Sequence, residues 1–424
     1  MHNRQVVTFQ IGGTGGEVGG AFWSQIVSEH GLEYSRIGLR VCGESSDSLL
    51  GVSVFFDESR NGVYKPRTVY CDLSNSSIHS PAINSFPISC YDNKSVVVSN
   101  DGSGNCYAQA FHCEGLPVAG HSIEAFRKTL ESCDSLQGVR FIHSLSGGTG
   151  SGLGGLLMRS VHDYLDTGSK CLLYSACVVP SHRTSDNCLS TYNTLLGLQD
   201  LLEYTHMVFP YDIDAVHGQS KDPYPFIAEC LSGLTASMRF PGLVNADLRK
   251  IYSNSVVFKN MHFLVTSFSK NEKTVGQLAH QVMESGTSTM SCDIRAEDER
   301  VLSSFMAFRG KSIPMSLVHD AIGSVRLYKN IYSNWNPNCV SASICSQPVK
   351  TNTGCLAAAL TCVHNTTAIS QFLDCVTASF DRKFASRSHV YLYEENGLHV
   401  NEFEQARNLV RSVSDLYKEH RSTN

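Results

Sequence analysis

The sequence predicts an α/β fold built on a parallel sheet, and three observations indicate it. Residues 5–11 are rich in β-branched and aromatic side chains and run directly into a glycine-rich turn and a helical stretch. The same order of strand, glycine-rich loop and helix recurs around the apolar residues 140–143 and the loop 144–152. Residues 171–179 form a continuous apolar run, which is typical of a parallel strand covered by helices on both faces.

The other elements are predicted from local patterns along the chain. Helices are predicted over residues 20–30, 121–133, 153–164 and 401–417, and further strands over residues 52–56 and 68–73. The polar, proline-containing residues 74–91 are predicted to be a loop. In the last helix one apolar stripe indicates a face docked on the protein, formed by Phe403, Ala406, Val410, Val413 and Tyr417.

Length and composition favour a soluble protein of several domains. The chain has 424 residues, of which 42% are hydrophobic and 17% charged. It can therefore bury a large core divided among two or three domains. A net charge of −5 without any run of Lys or Arg argues against nucleic acid as a partner.

The cysteines and the apolar runs bear on the cellular compartment. The 16 cysteines lack metal-type spacing, and we see no signal peptide. A spanning helix needs an apolar run of about 20 residues, and none is apparent in the sequence. We therefore expect reduced thiols, no membrane contact and a cytoplasmic location.

The loop 144–152, with the sequence Ser-Leu-Ser-Gly-Gly-Thr-Gly-Ser-Gly, has the composition of a phosphate-binding loop. Glycines let the backbone approach an anion, and the helix that follows directs unpaired N–H groups and the positive end of its dipole towards it. The loop is not of the Walker type, because no Gly-Lys-Ser/Thr follows it. The alternative is a glycine-rich turn that packs a helix closely against the sheet.

Two other glycine clusters bear on which ligand is bound. Gly13, Gly15 and Gly19 approximate a dinucleotide fingerprint, with Glu44 near the position of a ribose-binding acid, so a nicotinamide-dependent oxidoreductase is one hypothesis. Residues 101–105 form a third glycine-containing loop. Three such loops at successive strand ends favour one nucleotide held from several sides over a dehydrogenase, which concentrates these contacts in its first loop.

Motifs along the whole chain resemble those of the tubulin family, closest to the β type. They are Gly147–Gly152, Asp186 with Tyr192-Asn193, Arg239–Gly242, Asn245–Lys250, Phe308–Gly310, Trp335-x-Pro337-Asn338 and Asn365–Ile369. The resemblance implies a three-layer N-terminal GTP-binding domain over residues 1–203, which extends to about 235 with the start of a central helix. It also implies a second, α+β domain over residues 236–370 and a C-terminal helical hairpin over residues 371–424. The acidic tail expected on a tubulin is not found after Arg421.

The resemblance assigns the nucleotide contacts to individual positions. The phosphate contacts are Gly13, Thr14, Ser144, Gly147, Gly148, Thr149 and Gly150, with Asn105 near the terminal phosphates. Asn193 corresponds to an asparagine that reads the guanine edge, and Asp186 to a residue close to the ribose. The implied ligand is GTP or GDP.

Several positions depart from the family pattern. Gly13 and Thr14 stand where a glutamine and a cysteine are usual, and Ser146 replaces the first glycine of the phosphate loop. Ser74 replaces the acid associated with magnesium, although Asp72 remains, so we expect weakened Mg²⁺ binding. Tyr224 occupies the position of the second guanine-reading asparagine. The segment before it is shortened, which puts guanine specificity in doubt.

The resemblance also implies assembly with other subunits. A partner's nucleotide would face Asp247 and Lys250, and Lys250 cannot act as the base that an acid provides there. We therefore expect at most a slow GTPase that an α-type partner completes. The loop between Phe268 and Val275 is short, so lateral contacts should be weak while longitudinal contact with an α-tubulin-like subunit or a second copy survives. The leading hypothesis is a cytoskeletal subunit, and the alternative is a non-polymerising interaction or capping protein.

Overall fold

The structure is a computed structural model that describes most of the chain. The described residues are 4–35, 38–41, 49–59, 61–75, 86–165, 170–180, 187–270, 274–311, 313–327, 331–333, 335–336, 338–351, 354–355 and 358–421. The predicted ribose contact Asp186 lies outside these ranges, as do residues 271–273 of the segment expected to be short.

The first half of the chain contains both strands and helices. Its strands are β1 (Gln5–Ile11), β2 (Leu32–Ser35), β3 (Gly38–Val41), β4 (Phe56–Glu58), β5 (Tyr64–Pro66), β6 (Thr68–Asp72), β7 (Val96–Val98), β8 (Leu136–Ser144), β9 (Leu172–Val179) and β10 (Met207–Asp212). Its helices are α1 (Gly12–His30), α2 (Gly115–Glu131), α3 (Gly154–Leu165), α4 (Ser190–Tyr204) and α5 (Ile213–His217). π-Helical turns precede α2 and α3, at Gln109–Cys113 and Thr149–Leu153.

The second half contains longer helices and a second sheet. The helices are α6 (Pro223–Arg239), α7 (Leu248–Ser255), α8 (Val275–Gln281), α9 (Met315–Arg326), α10 (Ile369–Ala385), α11 (Val390–Glu395) and α12 (Val400–Glu419). The strands are β11 (Val265–Lys270), β12 (Val301–Gly310), β13 (Val340–Cys345), β14 (Lys350–Thr351), β15 (Gly354–Cys355) and β16 (Ala358–Thr366).

A six-stranded parallel sheet forms the middle layer of the N-terminal part, in the order β10-β9-β8-β1-β6-β7. Successive side chains of β1 point to opposite faces, so Val7 and Phe9 pack in one hydrophobic cluster and Val6 in another. Helices α2, α3 and α4 cover the first face, and α1 and α6 cover the second. The prediction of a parallel sheet with helices on both faces is confirmed.

The second sheet has the order β11-β16-β12-β13, in which β16 runs antiparallel to both neighbours and β13 runs parallel to β12. Helix α6 contacts α1 on one side and strands β12 and β16 on the other. This central helix therefore joins the two sheets. The mixed sheet with its helices matches the predicted α+β part.

The C-terminal helices pack as a hairpin against α4. Phe380 of α10 and Phe403 of α12 lie with ring centroids 6.0 Å apart, and Tyr192 of α4 lies 5.5 Å from Phe403. Arg407 and Asp381 form an ion pair of 2.6 Å between the two long helices. All five residues of the predicted apolar stripe are buried. The helical hairpin is thus as predicted.

Three element boundaries differ from the sequence predictions. Helix α1 begins at Gly12 instead of near residue 20, and α2 begins at Gly115 instead of residue 121. Glycine lowers helix propensity, which explains the late predicted start of α1, but tertiary contacts override that local cost. Val52–Val54 forms a 3₁₀ turn, and the strand predicted there starts only at Phe56. Among the described residues, none of the helices combines the length and the apolar character that a membrane span requires.

Candidate functional site

A cleft of about 440 Å³ opens at the carboxyl ends of β1, β6 and β8. It is lined by Ile11, Gly12, Gly13, Thr14, Asp72, Ser74, Ser103, Gly104, Asn105, Ser144, Ser146, Gly147, Gly148, Thr149 and Gly150. After β1 the chain adds β6 and β7 on one side and then β8, β9 and β10 on the other. The cleft lies at this switch in strand order, which is where open α/β sheets bind ligands.

The first turn of α1 faces the cleft and can bind an anion. Gly12 begins the helix with a left-handed φ of 71°, which brings the chain from β1 directly into the helix. No described side chain caps this end, and its first turn contains no acid. The first N–H groups of a helix have no partner within it. They and the positive dipole end are therefore available to a phosphate.

The loop after β8 brings its backbone very close to neighbouring segments. A Cβ atom added to Gly148 would lie 2.6 Å from the backbone N of Cys106, and one added to Gly150 would lie 2.3 Å from the carbonyl oxygen of Ser144. A Cβ at Gly147, in contrast, would meet no described protein atom within 4 Å. The packing explanation therefore accounts for two of these glycines, while the third faces open space at the cleft.

Hydroxyl groups add polar contacts around these glycines. Thr149 Oγ1 and Ser103 Oγ lie 3.3 Å apart, which links the loop after β8 to the loop 101–105. Ser144 Oγ and Ser146 Oγ lie 2.9 Å apart, and Ser144 Oγ also accepts the N–H of Ser146 at 3.2 Å. These hydroxyls provide hydrogen-bond partners for phosphate oxygens beside the backbone N–H groups.

The third loop turns sharply at Asn105. This residue has a φ of 55°, which is uncommon for a residue with a side chain. The turn places Asn105 and Gly104 in the lining of the cleft, together with the first residues of α1. All three glycine-containing loops identified from the sequence thus meet at one site.

The described lining residues include no Lys or Arg and a single carboxylate, that of Asp72. Asp72 is buried, and its oxygens accept the N–H of Ser74 at 3.1 Å and the hydroxyl of Tyr70 at 3.3 Å. Within the described ranges, no group of three His, Cys, Asp or Glu residues is arranged to hold a metal. The protein's contribution to anion binding is therefore made by backbone dipoles and hydroxyls.

Asn193, predicted to read the guanine edge, lies outside the cleft lining. It is fully buried on α4, behind the phosphate-facing loops. Its side-chain oxygen accepts the N–H of Tyr107 and the hydroxyl of Tyr393. Its side-chain nitrogen donates to the carbonyls of Asn105 and Ser146. The amide is thus bonded entirely within the protein.

Tyr224 lies in the first turn of α6, next to α1, and forms a side-chain hydrogen bond with Glu17. Burial, together with the nearby Glu17 carboxylate, raises the pKa of Tyr224 to about 12, so its hydroxyl remains a donor at neutral pH. Burial also raises the pKa of Glu17, against the lowering effect of that hydrogen bond. Tyr224 does not line the cleft, and its partner Glu17 lies five residues after Gly12, where α1 begins.

Asp247 and Lys250 lie at the opposite edge of the parallel sheet. Asp247 pairs with Arg4, which precedes β1, and its other oxygen caps α7 by accepting the N–H of Lys250 at 2.8 Å. A Cβ on Gly138, near the start of β8, would lie 2.4 Å from Leu248 of α7. These residues are therefore at the amino ends of the strands and cannot reach the cleft of their own chain.

Two residues near the site were not singled out from the sequence. Asp200 of α4 is buried and accepts the hydroxyl of Tyr107 at 2.7 Å, and burial raises the pKa of Asp200 to about 8. Tyr393 of α11 reaches Asn193 from the C-terminal hairpin. An acid in an otherwise apolar helix stripe was the only available signal for Asp200. No local pattern could have indicated Tyr393, because its partner lies 200 positions away.

Comparisons with known proteins identify the family. The profile described as "Tubulin/FtsZ family, GTPase domain" matches residues 5–221, and that described as "Tubulin C-terminal domain" matches residues 260–377. The chain is similar to the "Tubulin beta-1 chain" of Homo sapiens, with 31% identity over 438 residues that cover 98% of this chain and 94% of that protein. It is 31% identical over 440 residues to the "Tubulin beta chain" of Aspergillus fumigatus, covering 98% and 95% of the two chains. A GTPase domain of this type implies guanine-nucleotide binding, and the chain belongs to the tubulin family.

Proposed function

We propose that this chain is a guanine-nucleotide-binding cytoskeletal subunit of β-tubulin type, which acts in the cytoplasm and associates end to end with a tubulin partner. The observation that carries the proposal is the meeting of three glycine-containing loops at the switch in strand order. The family of the chain implies guanine as the base. Ser144, Gly147, Gly148, Thr149 and Gly150 bind the phosphates from one side, with Gly13, Thr14 and Asn105 on the others.

Binding depends on fixed dipoles, because the described lining residues offer no cationic side chain. N–H groups of the first turn of α1 and of the turn Thr149–Leu153 donate to phosphate oxygens. Thr149 packs against Gly12, because a Cβ added to Gly12 would lie 3.5 Å from the Thr149 methyl group. The Thr149 hydroxyl is within hydrogen-bonding distance of the Ser103 hydroxyl. Magnesium would bring charge neutralisation, and Asp72 is the carboxylate positioned to hold it, with Ser74 as a neutral neighbour.

The two opposite edges of the sheet support longitudinal contact. The cleft lies at the carboxyl ends of the strands, whereas Asp247 and Lys250 lie at the amino ends. Stacking in one direction would bring Lys250 of one subunit to the nucleotide of the next. Its ammonium can contact a phosphate but cannot accept a proton from water. Hydrolysis of this chain's nucleotide would therefore need an acid from an α-type partner.

Replacement of Thr149 by valine tests the site. Thr149→Val keeps the shape of the side chain and removes the hydroxyl, so nucleotide affinity should fall roughly tenfold to a hundredfold, the range for a hydrogen bond to a charged group. The measurement is the GTP dissociation constant of the purified protein by calorimetry. Thr377→Val is the matched control, because the Thr377 hydroxyl bonds only to carbonyls of α10. The GTP affinity of this variant should equal that of the wild type. Equal affinities of the two variants would refute the site.

One observation favours the alternative of an interaction or capping protein that does not polymerise. Strand β11 ends at Lys270 and α8 begins at Val275, so only residues 271–274 connect them. In the family this segment bridges neighbouring protofilaments. Such a short bridge offers little lateral surface, and specific interfaces usually bury at least about 1,000 Å².

A further inference from the structure

The side chain of Asn193 makes four hydrogen bonds within the protein. Its oxygen accepts the Tyr107 N–H at 3.0 Å and the Tyr393 hydroxyl at 2.7 Å. Its nitrogen donates to the Asn105 carbonyl at 2.8 Å and the Ser146 carbonyl at 2.9 Å. An asparagine amide has two N–H donors and two lone pairs on its oxygen, so these four bonds use its full capacity.

Two of these bonds hold loops that face the cleft. Ser146 precedes Gly147 in the loop after β8, and Asn105 is the strained residue of the third loop. The Ser146 carbonyl accepts a second bond from Asn187 at 2.9 Å, just before α4. Helix α4 thus fixes the spacing between two walls of the cleft from behind. No donor or acceptor of Asn193 remains for a base.

Tyr393 connects this amide to the C-terminal hairpin. Its side chain is fully buried, and its ring packs 5.2 Å from that of Phe403 and 5.5 Å from that of Tyr192. The packing fixes the direction of the hydroxyl, which donates to Asn193. The hairpin therefore supplies one of the four hydrogen bonds of Asn193, the residue that holds the two loops at a fixed distance.

We propose that Asn193 is a positioning residue for the phosphate-facing loops and that Tyr393 locks it, so that the C-terminal hairpin sets nucleotide affinity. The proposal rests on the proposed nucleotide-binding function and replaces the base-reading role expected for Asn193. Loss of the Tyr393 hydroxyl leaves the buried Asn193 oxygen with one of its two hydrogen bonds, the one from the Tyr107 N–H, and loosens the amide that holds both loops. A nucleotide must then order these loops on binding, which costs affinity but does not depend on which base it carries.

The test compares two tyrosine variants in the full chain. Tyr393→Phe removes the hydroxyl that bonds to Asn193. Tyr192→Phe, the matched control, removes a hydroxyl from the same aromatic cluster that bonds only to the Ser388 carbonyl at 2.8 Å. GTP and inosine triphosphate, whose base lacks the 2-amino group of guanine, are titrated into each protein. We expect Tyr393→Phe to weaken both nucleotides by the same factor, about three- to tenfold, and Tyr192→Phe to change neither by more than about twofold.

Two outcomes would overturn the proposal. One is an equal affinity of Tyr393→Phe and Tyr192→Phe for GTP. The other is a change in the GTP-to-inosine-triphosphate affinity ratio in Asn193→Ala, which would restore a base-reading role. If the wild-type protein binds neither nucleotide, the proposed function fails, and hydrogen exchange of residues 103–107 and 146–150 still decides the inference. Exchange should be faster in Tyr393→Phe than in Tyr192→Phe, and equal rates would contradict the positioning role.

Discussion

Gly148 and Gly150 show how single residues shape the cleft. At each position an added Cβ would lie less than 3 Å from backbone atoms of a neighbouring segment, so the loop after β8 can approach the third loop and the end of β8 only without side chains. Gly155 of α3 is under a similar constraint behind the same loop. A Cβ added to Gly155 would lie 1.9 Å from the Oδ2 atom of Asp200. The nucleotide loops are thus supported by a tightly packed and partly polar interior.

Asp200 makes stability depend on pH. Burial raises the pKa of Asp200 from its ordinary 3.8 to about 8, so between these values the folded chain holds a proton that the unfolded chain has lost. The contribution of Asp200 should therefore lower the free energy of unfolding as pH rises, by about 1 kcal/mol per pH unit. Asp200→Asn keeps a neutral side chain at every pH and should be increasingly more stable than the wild type from pH 5.5 to 8. Thermal unfolding of both proteins across that range checks this, and a pH-independent difference would contradict the raised pKa.

The orientation of the Asn193 side chain could not be predicted from residue types alone. The glycines, Ser144, Thr149 and Asn105 could be predicted to share a site because each follows a strand, and the carboxyl ends of parallel strands meet at one edge. Whether Asn193 faces this edge or the core depends on the orientation of α4 and on Tyr393, which is remote in sequence. A motif match could not supply that information.

A buried charge cluster joins α1, α6 and β12. Glu29 of α1 lies 2.6 Å from Arg239 of α6 and 3.1 Å from Arg309 of β12, and all three side chains are buried. Burial alone would raise the pKa of Glu29, but Arg309 and Arg239 hold it well below its ordinary range. The central helix is thereby tied to α1 and to β12 of the second sheet. The sequence predicted the two sheets and the helix, but not this connection, since its members are remote from one another along the chain.

Glu29→Gln tests this connection. The substitution keeps the size of the side chain but leaves two buried guanidinium groups without a counter-ion. The free energy of unfolding should fall by about 3–5 kcal/mol, as measured by denaturant titration. Arg127→Ala is the control, because it removes only exposed ion pairs with Glu124 and Glu131 on α2 and should change stability by less than about 1 kcal/mol. Similar stabilities of the two variants would show that the cluster does not hold the elements together.

In the whole molecule, the surfaces for end-to-end contact are distinct from the segment expected to make lateral contact. The cleft and the Asp247–Lys250 segment lie at opposite edges of one sheet, which suits stacking, whereas residues 271–274 leave little material for a lateral bridge. We therefore expect the purified chain with GTP to form short linear oligomers or none, and no tubes. Negative-stain electron microscopy checks this. Regular tubes with close lateral contacts would contradict the prediction.

The identity of the nucleotide that the native protein carries tests guanine-nucleotide binding directly. The purified chain is denatured with acid, and the released compounds are separated by chromatography against guanine and nicotinamide standards. We expect GTP or GDP in an amount approaching one per chain, with much less from Thr149→Val purified in parallel. Release of a nicotinamide dinucleotide, or of no guanine nucleotide from protein that also fails to bind added GTP, would contradict this expectation.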